Sequence, residues 1–327
     1  MTLDFTTQTL PGGADASKRA AECLRDGGLI GFPTETVYGL GADAANAAAV
    51  ARLYAAKGRP SFNPLIAHVA DFAAARRIAV FDAIAERLAS AFWPGPLTLV
   101  LPKAAGCAVA DLATAGLETV AIRVPAHPVA QTILRAFGGA VVAPSANRSG
   151  HVSPTTAAHV LADLGGRIDL IIDGGPVTVG VESTIVGCVG SPMLLRPGGV
   201  PREAIERVLG RPLGTSSPSP TAAPVAPGML ASHYAPRATV RLTAAVVKPG
   251  EALLAFGPDL PPGAEAAIAL RNLSPRGDLA EAAANLFGYL RELDGCGASA
   301  IAVMPIPNEG LGEAINDRLR RAAAPRD

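Results

Sequence analysis

A proline-rich stretch about two-thirds of the way along the chain most limits how this sequence can fold. Residues 211–228 contain five prolines among Ser, Thr and Ala residues. Because proline fixes φ and lacks a backbone N–H, neither a helix nor a central strand can run through this stretch. We therefore predict a semi-extended linker over 211–238, which separates a first domain at 1–210 from a smaller one at 239–327.

Both predicted domains mix short apolar strands with helices. In the first domain, the strand and helix signals alternate without a strict βαβ rhythm. We therefore expect an α/β fold with a twisted, mixed, open sheet and helices packed on it. The second domain shows the order βββαβα, which predicts a small α/β domain. A composition of 49% hydrophobic and 17% charged residues is typical of a well-packed α/β protein.

Bulk charge and cysteine content argue against several classes of protein. The formal net charge is zero, so the chain lacks the polyelectrolyte signature of a nucleic-acid or membrane-surface protein. The four cysteines lie far apart and form no C-x-x-C pair, so we expect neither a disulfide framework nor a structural zinc site. The N-terminus lacks the pattern of a signal peptide, and no uncharged apolar run reaches about 18 residues. We expect a cytoplasmic protein without membrane association.

The stretch 31–68 carries polar residues suited to phosphate. It includes Lys57-Gly58-Arg59, in a chain that has only four lysines. We predict that Asn46 caps a helix over 47–57 and that the glycine of the triplet ends it. Cations presented beside amide donors suit an anion with several oxygens. A solvated helix end would look similar, because cations favour helix C-termini.

Three further features could contribute to the same site, and each has a structural alternative. Ser145 and Asn147 follow an apolar strand, where open α/β sheets place ligands, although Ser and Asn also favour ordinary turns. Arg123 lies inside an apolar strand, so it must meet an anionic ligand or an internal Glu or Asp. The segment 181–184, followed by Arg196 at the end of the next strand, could form a site or only a hairpin with a surface arginine.

Residues 39–44 match the dinucleotide pattern G-x-G-x-x-G/A, but their context does not fit. A Pro-Thr-Glu-Thr break precedes them where the fingerprint has an unbroken strand, and no acidic residue ends a second strand about twenty residues later. The sequence also has neither a GxxxxGK[ST] loop nor an HExxH motif. Common NTPase and metalloprotease functions are therefore not expected.

Six motifs in fixed order point to one family. PTETVYGLG, KGR with the downstream NPLIAH, AIRVP, APSANRSG, ESTIV and LRPG resemble the threonylcarbamoyl-adenylate synthases, the YrdC-like family. The resemblance covers roughly residues 15–210, while PGMLASHYAPR at 227–237 and the second domain resemble the long form of the family. It implies a YrdC-like first domain and a small Rossmann-like C-terminal domain. The Lys-x-Arg and Ser-x-Asn pairs of the family match Lys57/Arg59 and Ser145/Asn147.

The resemblance implies a nucleotidyltransferase that combines L-threonine, bicarbonate and ATP into threonylcarbamoyl-AMP and pyrophosphate. A tRNA threonylcarbamoyltransferase would then receive the product. Mg²⁺ would arrive on the phosphates of ATP, its protein ligands stay unassigned, and no tightly bound organic cofactor is expected. The segment around Tyr234 would fold over the site and gate it.

The resemblance also implies roles for individual residues. The catalytic residues, which handle phosphate charge, are Lys57, Arg59, Ser145 and Asn147. The contacts to ATP come from Arg59, Asn63, Thr119, Ser145, Ser153, Arg196 and Tyr234. The threonine pocket consists of Thr36, His68, Arg123, Ala143 (through its backbone) and Ser183. A planar guanidinium suits the threonine carboxylate, and we assign the histidine to binding rather than to proton transfer.

Three other functions compete with this hypothesis. A double-stranded RNA or tRNA-binding module without adenylation activity is one, although neutral charge and few aromatic residues argue against it. Weak RNA binding is compatible with either function. A carbamoyl-adenylating enzyme of hydrogenase maturation would carry acylphosphatase and zinc-finger segments, which the cysteine spacing does not provide. A nicotinamide enzyme built on 39–44 is the third.

Overall fold

The computed structural model describes residues 6–215 and 234–325, and two β-sheets organise them. An eleven-stranded mixed sheet occupies the first range, and a four-stranded parallel sheet occupies the second. Helices pack on both. The predicted fold class is therefore confirmed. None of the helices in the described ranges is both long and apolar enough to cross a bilayer.

The first sheet places parallel and antiparallel neighbours side by side. In chain order its strands are β1 (Gln8–Pro11), β2 (Ile30–Pro33), β3 (Tyr38–Asp43), β4 (Ile66–His68), β5 (Leu97–Pro102), β6 (Thr119–Arg123), β7 (Val141–Val142), β8 (Leu170–Asp173), β9 (Thr184–Gly187), β10 (Met193–Arg196) and β11 (Gly214–Thr215). Their spatial order is β1-β8-β2-β3-β7-β4-β6-β5-β9-β10-β11. Its helices are α1 (Ala14–Arg25), α2 (Ala47–Lys57), α3 (Phe72–Arg76), α4 (Ala83–Phe92), α5 (Pro128–Phe137), α6 (Ala157–Leu164) and α7 (Arg202–Leu209).

Helix α2 forms where its capping residues predict it. Asn46 Oδ1 accepts hydrogen bonds from the backbone N–H groups of Ala48 and Ala49, at 3.0 and 3.1 Å. Gly58 ends the helix in the left-handed region, with φ 62°. Local capping chemistry thus fixes the position of Lys57, the last residue of the helix.

Strand β3 contains the two glycines that match the dinucleotide pattern. Glycine is a poor strand former, so the sequence gives no strand signal here. In the structure, a Cβ on Gly41 would lie 3.0 Å from the Phe32 ring and from the Val141 side chain. Glycine therefore permits close packing of β2 and β7 against β3. The pattern lies along a strand and not at the strand-to-helix turn that a dinucleotide site needs.

The second sheet confirms the predicted βββαβα order. Its strands are β12 (Thr239–Arg241), β13 (Glu251–Ala255), β14 (Leu270–Asn272) and β15 (Ala300–Val303), in the spatial order β12-β15-β13-β14. Its helices are α8 (Leu279–Asp294) and α9 (Gly312–Ala323). All its described strand pairs are parallel, as in a small doubly wound domain.

Helix α8 joins the two sheets through a shared apolar core. Val37, Val152 and Val181 belong to loops of the first sheet, yet they are buried in one cluster with Leu286 and Phe287 of α8. The predicted domain boundaries at 210 and 238 stay predictions. Strand β11 belongs to the first sheet although it lies beyond residue 210.

Candidate functional site

A cavity at the carboxyl ends of β4 and β6 gathers residues from distant segments. Parallel pairing places His68 beside Arg123 at this edge of the sheet. Nine residues that sequence analysis assigns to the site line the cavity: Thr36, Arg59, His68, Arg123, Ala143, Ser145, Ser183, Arg196 and Tyr234. Five others do not line it: Lys57, Asn63, Thr119, Asn147 and Ser153. Glu182 lines it without having been predicted.

Arg123 has an internal acidic partner and also lines the cavity. Its Nη2 donates to Glu35 Oε1 at 2.5 Å, its Nη1 to Thr36 Oγ1 at 2.9 Å and its Nε to the Gly95 carbonyl at 3.1 Å. Among the described residues these contacts use three of the five guanidinium N–H groups. The internal acidic partner is therefore observed. Two N–H groups are left over, and their contact with a ligand stays a prediction.

Glu35 balances the charge of this arginine. Its second carboxylate oxygen accepts the Ala126 N–H at 3.0 Å. Burial alone would raise the pKa of Glu35, but the charge and hydrogen bond of Arg123 hold it below its ordinary value. The carboxylate is therefore ionised at neutral pH. The sequence does not identify this partner, because 88 residues separate the pair.

His68 is held as a neutral imidazole. Burial, helped by the nearby Arg123 charge, lowers its pKa to about 3. Its Nδ1 lies 3.1 Å from the Ile66 carbonyl oxygen, which requires the proton on Nδ1 and leaves Nε2 as an acceptor. A group with this pKa does not exchange protons near pH 7, so the arrangement supports a binding role.

Lys57 links the end of α2 to the loop that carries Ser145 and Asn147. Its buried Nζ donates to the backbone carbonyl oxygens of both residues, each at 2.5 Å. The Ser149 N–H returns a hydrogen bond to the Lys57 carbonyl at 2.8 Å. Burial and then the Arg59 charge lower the pKa of Lys57 well below its ordinary value. The observed role is to position the loop, and direct contact with phosphate stays a prediction.

Arg59 lines the cavity beside this loop, and Asn63 is buried behind it in the same segment. Arg59 donates to the Asn63 carbonyl at 3.3 Å and to the Pro64 carbonyl at 3.1 Å. Burial lowers its pKa to about 10, so it stays charged at neutral pH. Both polar atoms of the Asn63 carboxamide are buried without a hydrogen-bond partner among the described residues. An unsatisfied amide is costly in a native protein, and one beside a cationic cavity points to a ligand.

Asn147 shapes its own loop. Its Nδ2 donates to the carbonyl oxygens of Arg148 and His151, both at 2.8 Å. Its Oδ1 is buried and has no partner within the described part of the chain. The Ser-x-Asn segment therefore presents Ser145 to the cavity and keeps one amide oxygen unused.

Arg196 and Ser183 form the opposite wall. Arg196 donates to the Ser183 carbonyl through Nε at 3.2 Å and Nη2 at 2.8 Å, and to Ser183 Oγ at 3.2 Å. Burial lowers the pKa of Arg196. Strands β9 and β10 pair antiparallel as a hairpin would, but Arg196 is buried at the cavity, so the alternative of a surface arginine is wrong. Next to it, the buried Ser153 hydroxyl donates to Glu182 Oε1 at 2.6 Å.

Tyr234 is the first residue described after the gap at 216–233. Its ring is buried at the cavity and stacks on Phe287 of α8, with centroids 5.4 Å apart. The next residue donates its N–H to the Gly150 carbonyl at 2.9 Å, beside the Ser-x-Asn loop. The other residues of the predicted covering segment before Tyr234 mostly lie outside the described part of the chain.

Thr119 lies at the far end of β6 from Arg123. The side-chain alternation of a strand places Thr119, Ala121 and Arg123 on one face of the sheet. Thr119 lines a second cavity of about 310 Å³, whose walls include the apolar residues Val100 and Leu195. This cavity lies on the same face of the sheet. The contact of Thr119 with ATP stays a prediction.

The acidic residues at the site are engaged by arginines. Glu35 pairs with Arg123, and Glu182 pairs with Arg318 of α9. Across residues 6–215 and 234–325, no group of three or more His, Cys, Asp or Glu is placed to hold a metal ion. The described residues thus offer no protein-built metal centre, and the metal ligands stay unassigned.

Two family models match the chain. The Sua5, YciO and YrdC family, described as "Telomere recombination", matches residues 22–198. The family described as "Threonylcarbamoyl-AMP synthase, C-terminal domain" matches residues 200–324. The second match begins at residue 200, so it includes α7 and β11 as well as the second sheet.

Relatives match over nearly the whole length. The chain is 42% identical over 325 residues to the threonylcarbamoyl-AMP synthase of Bacillus subtilis (strain 168), which covers 94% of this chain and 93% of the relative. It is 43% identical over 319 residues to that of Pyrococcus abyssi (strain GE5 / Orsay), with 93% of each covered. The crystal structure of P. abyssi Sua5 complexed with L-threonine superposes with a TM-score of 0.86 at 39% identity, over 97% of each chain. The chain therefore belongs to the threonylcarbamoyl-AMP synthase family, in its two-domain form with a Sua5/YciO/YrdC domain followed by the family's C-terminal domain.

Proposed function

We infer that the protein is an L-threonylcarbamoyladenylate synthase, a nucleotidyltransferase that forms threonylcarbamoyl-AMP and pyrophosphate from L-threonine, bicarbonate and ATP. The observation that carries this inference is a single cavity lined by Arg59, Arg123 and Arg196, which come from three distant segments. All the reacting molecules are anions or carry a carboxylate, so they need such a preorganised cationic site.

We propose that the end of the cavity at Arg123 holds threonine. The two guanidinium N–H groups left after its protein contacts suit a bidentate carboxylate. The hydroxyls of Thr36 and Ser183 and the acceptor Nε2 of His68 can recognise the amino and hydroxyl groups. The Ala143 backbone completes this pocket. P. abyssi Sua5, which has the same fold, was crystallised with L-threonine.

The other end suits the nucleotide. Arg59 and Arg196 neutralise phosphate charge. The unsatisfied carboxamide of Asn63 can donate and accept, and the unused Oδ1 of Asn147 can accept from a hydroxyl or amino group of the nucleoside. Lys57 holds the loop that carries Ser145 and Asn147 in place. Beyond Arg59 and Ser145, we place the adenine base toward the apolar cavity that Thr119 lines, on the same face of the sheet. Ser153 and Tyr234 complete the contacts.

The proposed chemistry needs no covalent enzyme intermediate. The threonine amine attacks bicarbonate and water leaves, which gives a carbamate. A carbamate oxygen then attacks the α-phosphorus of ATP, and the bond to pyrophosphate breaks. Arginines on both sides hold the two anions in line and stabilise the charge that develops on the phosphate. The neutral His68 moves no proton in this scheme.

In this proposal, Mg²⁺ would be bound to the phosphates of ATP and not to a site built by the protein. It would screen the phosphate charge, and the described residues fit a metal that rides on the nucleotide because Glu35 and Glu182 are already paired. The product would pass to a tRNA threonylcarbamoyltransferase, and a cytoplasmic location remains our expectation. Weak RNA binding is compatible with the proposal.

Pyrophosphate release tests the assignment. ATP, threonine and bicarbonate are omitted in turn, and each omission should abolish release. Lys57→Ala should lower the rate strongly, because the loop with Ser145 and Asn147 loses its anchor. Release without threonine would reject the function. Steeply salt-dependent binding of double-stranded RNA or tRNA without ATP turnover would favour the RNA-binding alternative.

A further inference from the structure

One side chain of the second domain reaches the site. Arg318 of α9 is fully buried, and its Nε donates to Glu182 Oε2 at 2.7 Å. Its Nη2 donates to the Pro197 carbonyl at 3.0 Å, and its Nη1 to Asp317 Oδ2 at 2.5 Å. Two of these three contacts are to first-domain residues that flank Ser183 and Arg196.

Glu182 links Arg318 to Ser153 through hydrogen bonds. One carboxylate oxygen accepts from Arg318, and the other accepts the Ser153 hydroxyl at 2.6 Å. All three side chains are buried, so water does not compete for these hydrogen bonds. Because the serine hydrogen points to Glu182, its oxygen is left as an acceptor. It therefore suits a donor such as a nucleoside hydroxyl or amino group, and not a phosphate oxygen.

The charge of Glu182 makes the arginine necessary. A buried carboxylate that lines a cavity for polyanions would repel them unless a cation compensates it. Arg318 and Arg196 both face it, and they hold its pKa at about 2 although burial alone would raise it. Without Arg318, the carboxylate would lose one of its two hydrogen-bond donors and its nearest cation.

The same arginine supports Tyr234. Its guanidinium carbon lies 5.3 Å from the centroid of the tyrosine ring, within cation–π range. Phe287 stacks on that ring at 5.4 Å. Helices α8 and α9 thus hold the Tyr234 ring in place.

We propose that Arg318 is a positioning residue, through which the C-terminal domain orients Glu182, Ser153 and Tyr234 on the nucleotide side of the active site. This inference rests on the proposed function. It gives the second domain a part in nucleotide binding, although none of the site residues predicted from the sequence lies in that domain.

A purely structural role is the competing explanation, and the chain offers a matched control. Glu313 also lies on α9 and also pairs across the domains, with Arg202 of α7 at 2.5 Å. Both side chains of that pair are partly exposed and lie outside the cavity. Glu313→Gln should therefore leave ligand binding unchanged while it removes a domain contact.

The affinities of ATP and L-threonine, each measured alone by calorimetry, separate the explanations. Arg318→Met should weaken ATP binding about tenfold, the equivalent of one lost charged hydrogen bond, and change threonine binding less than about twofold. Glu313→Gln should change neither. Unchanged ATP affinity in Arg318→Met, or equal losses for both ligands, would overturn the proposal.

A double-mutant cycle keeps the test valid if Arg318→Met folds poorly. Glu182→Gln/Arg318→Met leaves no buried unpaired carboxylate at this position. If Arg318 acts through Glu182, adding Arg318→Met to Glu182→Gln should cost less than about threefold in ATP affinity. A further tenfold loss would show that Arg318 affects ATP binding independently of Glu182, and would reject the part of the proposal that runs through Glu182 and Ser153. Wild-type protein that releases no pyrophosphate would reject the proposed function itself, whatever the variants do.

Discussion

Asn63→Leu should stabilise the ligand-free protein and impair the enzyme. Both polar atoms of this carboxamide are buried without partners among the described residues. A buried unsatisfied polar group costs about 1–3 kcal/mol, so an apolar side chain of similar volume should recover about that amount. For a protein of this size, the gain corresponds to a rise in Tm of roughly 2–4 °C per kcal/mol.

Catalysis should change in the opposite direction. If the carboxamide binds ATP, its loss should raise the KM for ATP about tenfold, the equivalent of one lost hydrogen bond at about 1.4 kcal/mol. Asn46→Leu is the matched control, because its side chain caps α2 through two hydrogen bonds. That change should lower the free energy of unfolding by about 1 kcal/mol.

Thermal unfolding without ligands and steady-state pyrophosphate release measure the two effects. The interpretation of Asn63 as a ligand-binding group fails if Asn63→Leu is as destabilising as Asn46→Leu. It also fails if the KM for ATP is unchanged, whatever the stability.

Three further predictions concern Arg123, Glu182 and Gly180. Arg123→Lys keeps the charge but cannot make three protein contacts and hold a carboxylate, so the KM for threonine should rise about tenfold or more, with the KM for ATP little changed. The folded-state pKa of Glu182 is lowered from 4.5 to about 2, so its contribution to stability is present above about pH 4.5 and is lost as the pH falls toward 2. Acid unfolding of Glu182→Gln should show less of this loss. Gly180→Ala should destabilise by about 2 kcal/mol or more, because its Cβ would lie 2.2 Å from the Ala283 carbonyl oxygen of α8. Gly175→Ala has a similar positive φ but meets nothing within 4 Å among the described residues, so chemical denaturation should show a smaller loss.

Local signals predict helices well in this chain. Helix α2 has the expected bounds, because its capping asparagine and the glycine at its end act within one turn. The βββαβα order of the second domain follows from apolar runs and helical spacing in the same way.

Contacts between residues far apart in the sequence could not be predicted from local signals. The partner of Arg123 could have been any buried acid, and only the fold brings Glu35 to it across 88 residues. Arg318 gives no signal at all, since an arginine near the end of an amphipathic helix is usually solvated. Strand β3 is missed because its glycines serve packing against Phe32 and not a turn.

The shared valine core limits which parts can separate. Pulling α8 away from the first sheet would expose Val37, Val152 and Val181 to water. Burying a valine side chain contributes about 1.5–3 kcal/mol, so separation of the domains would cost several kcal/mol of lost burial. A substrate path that keeps this seam closed would avoid that cost.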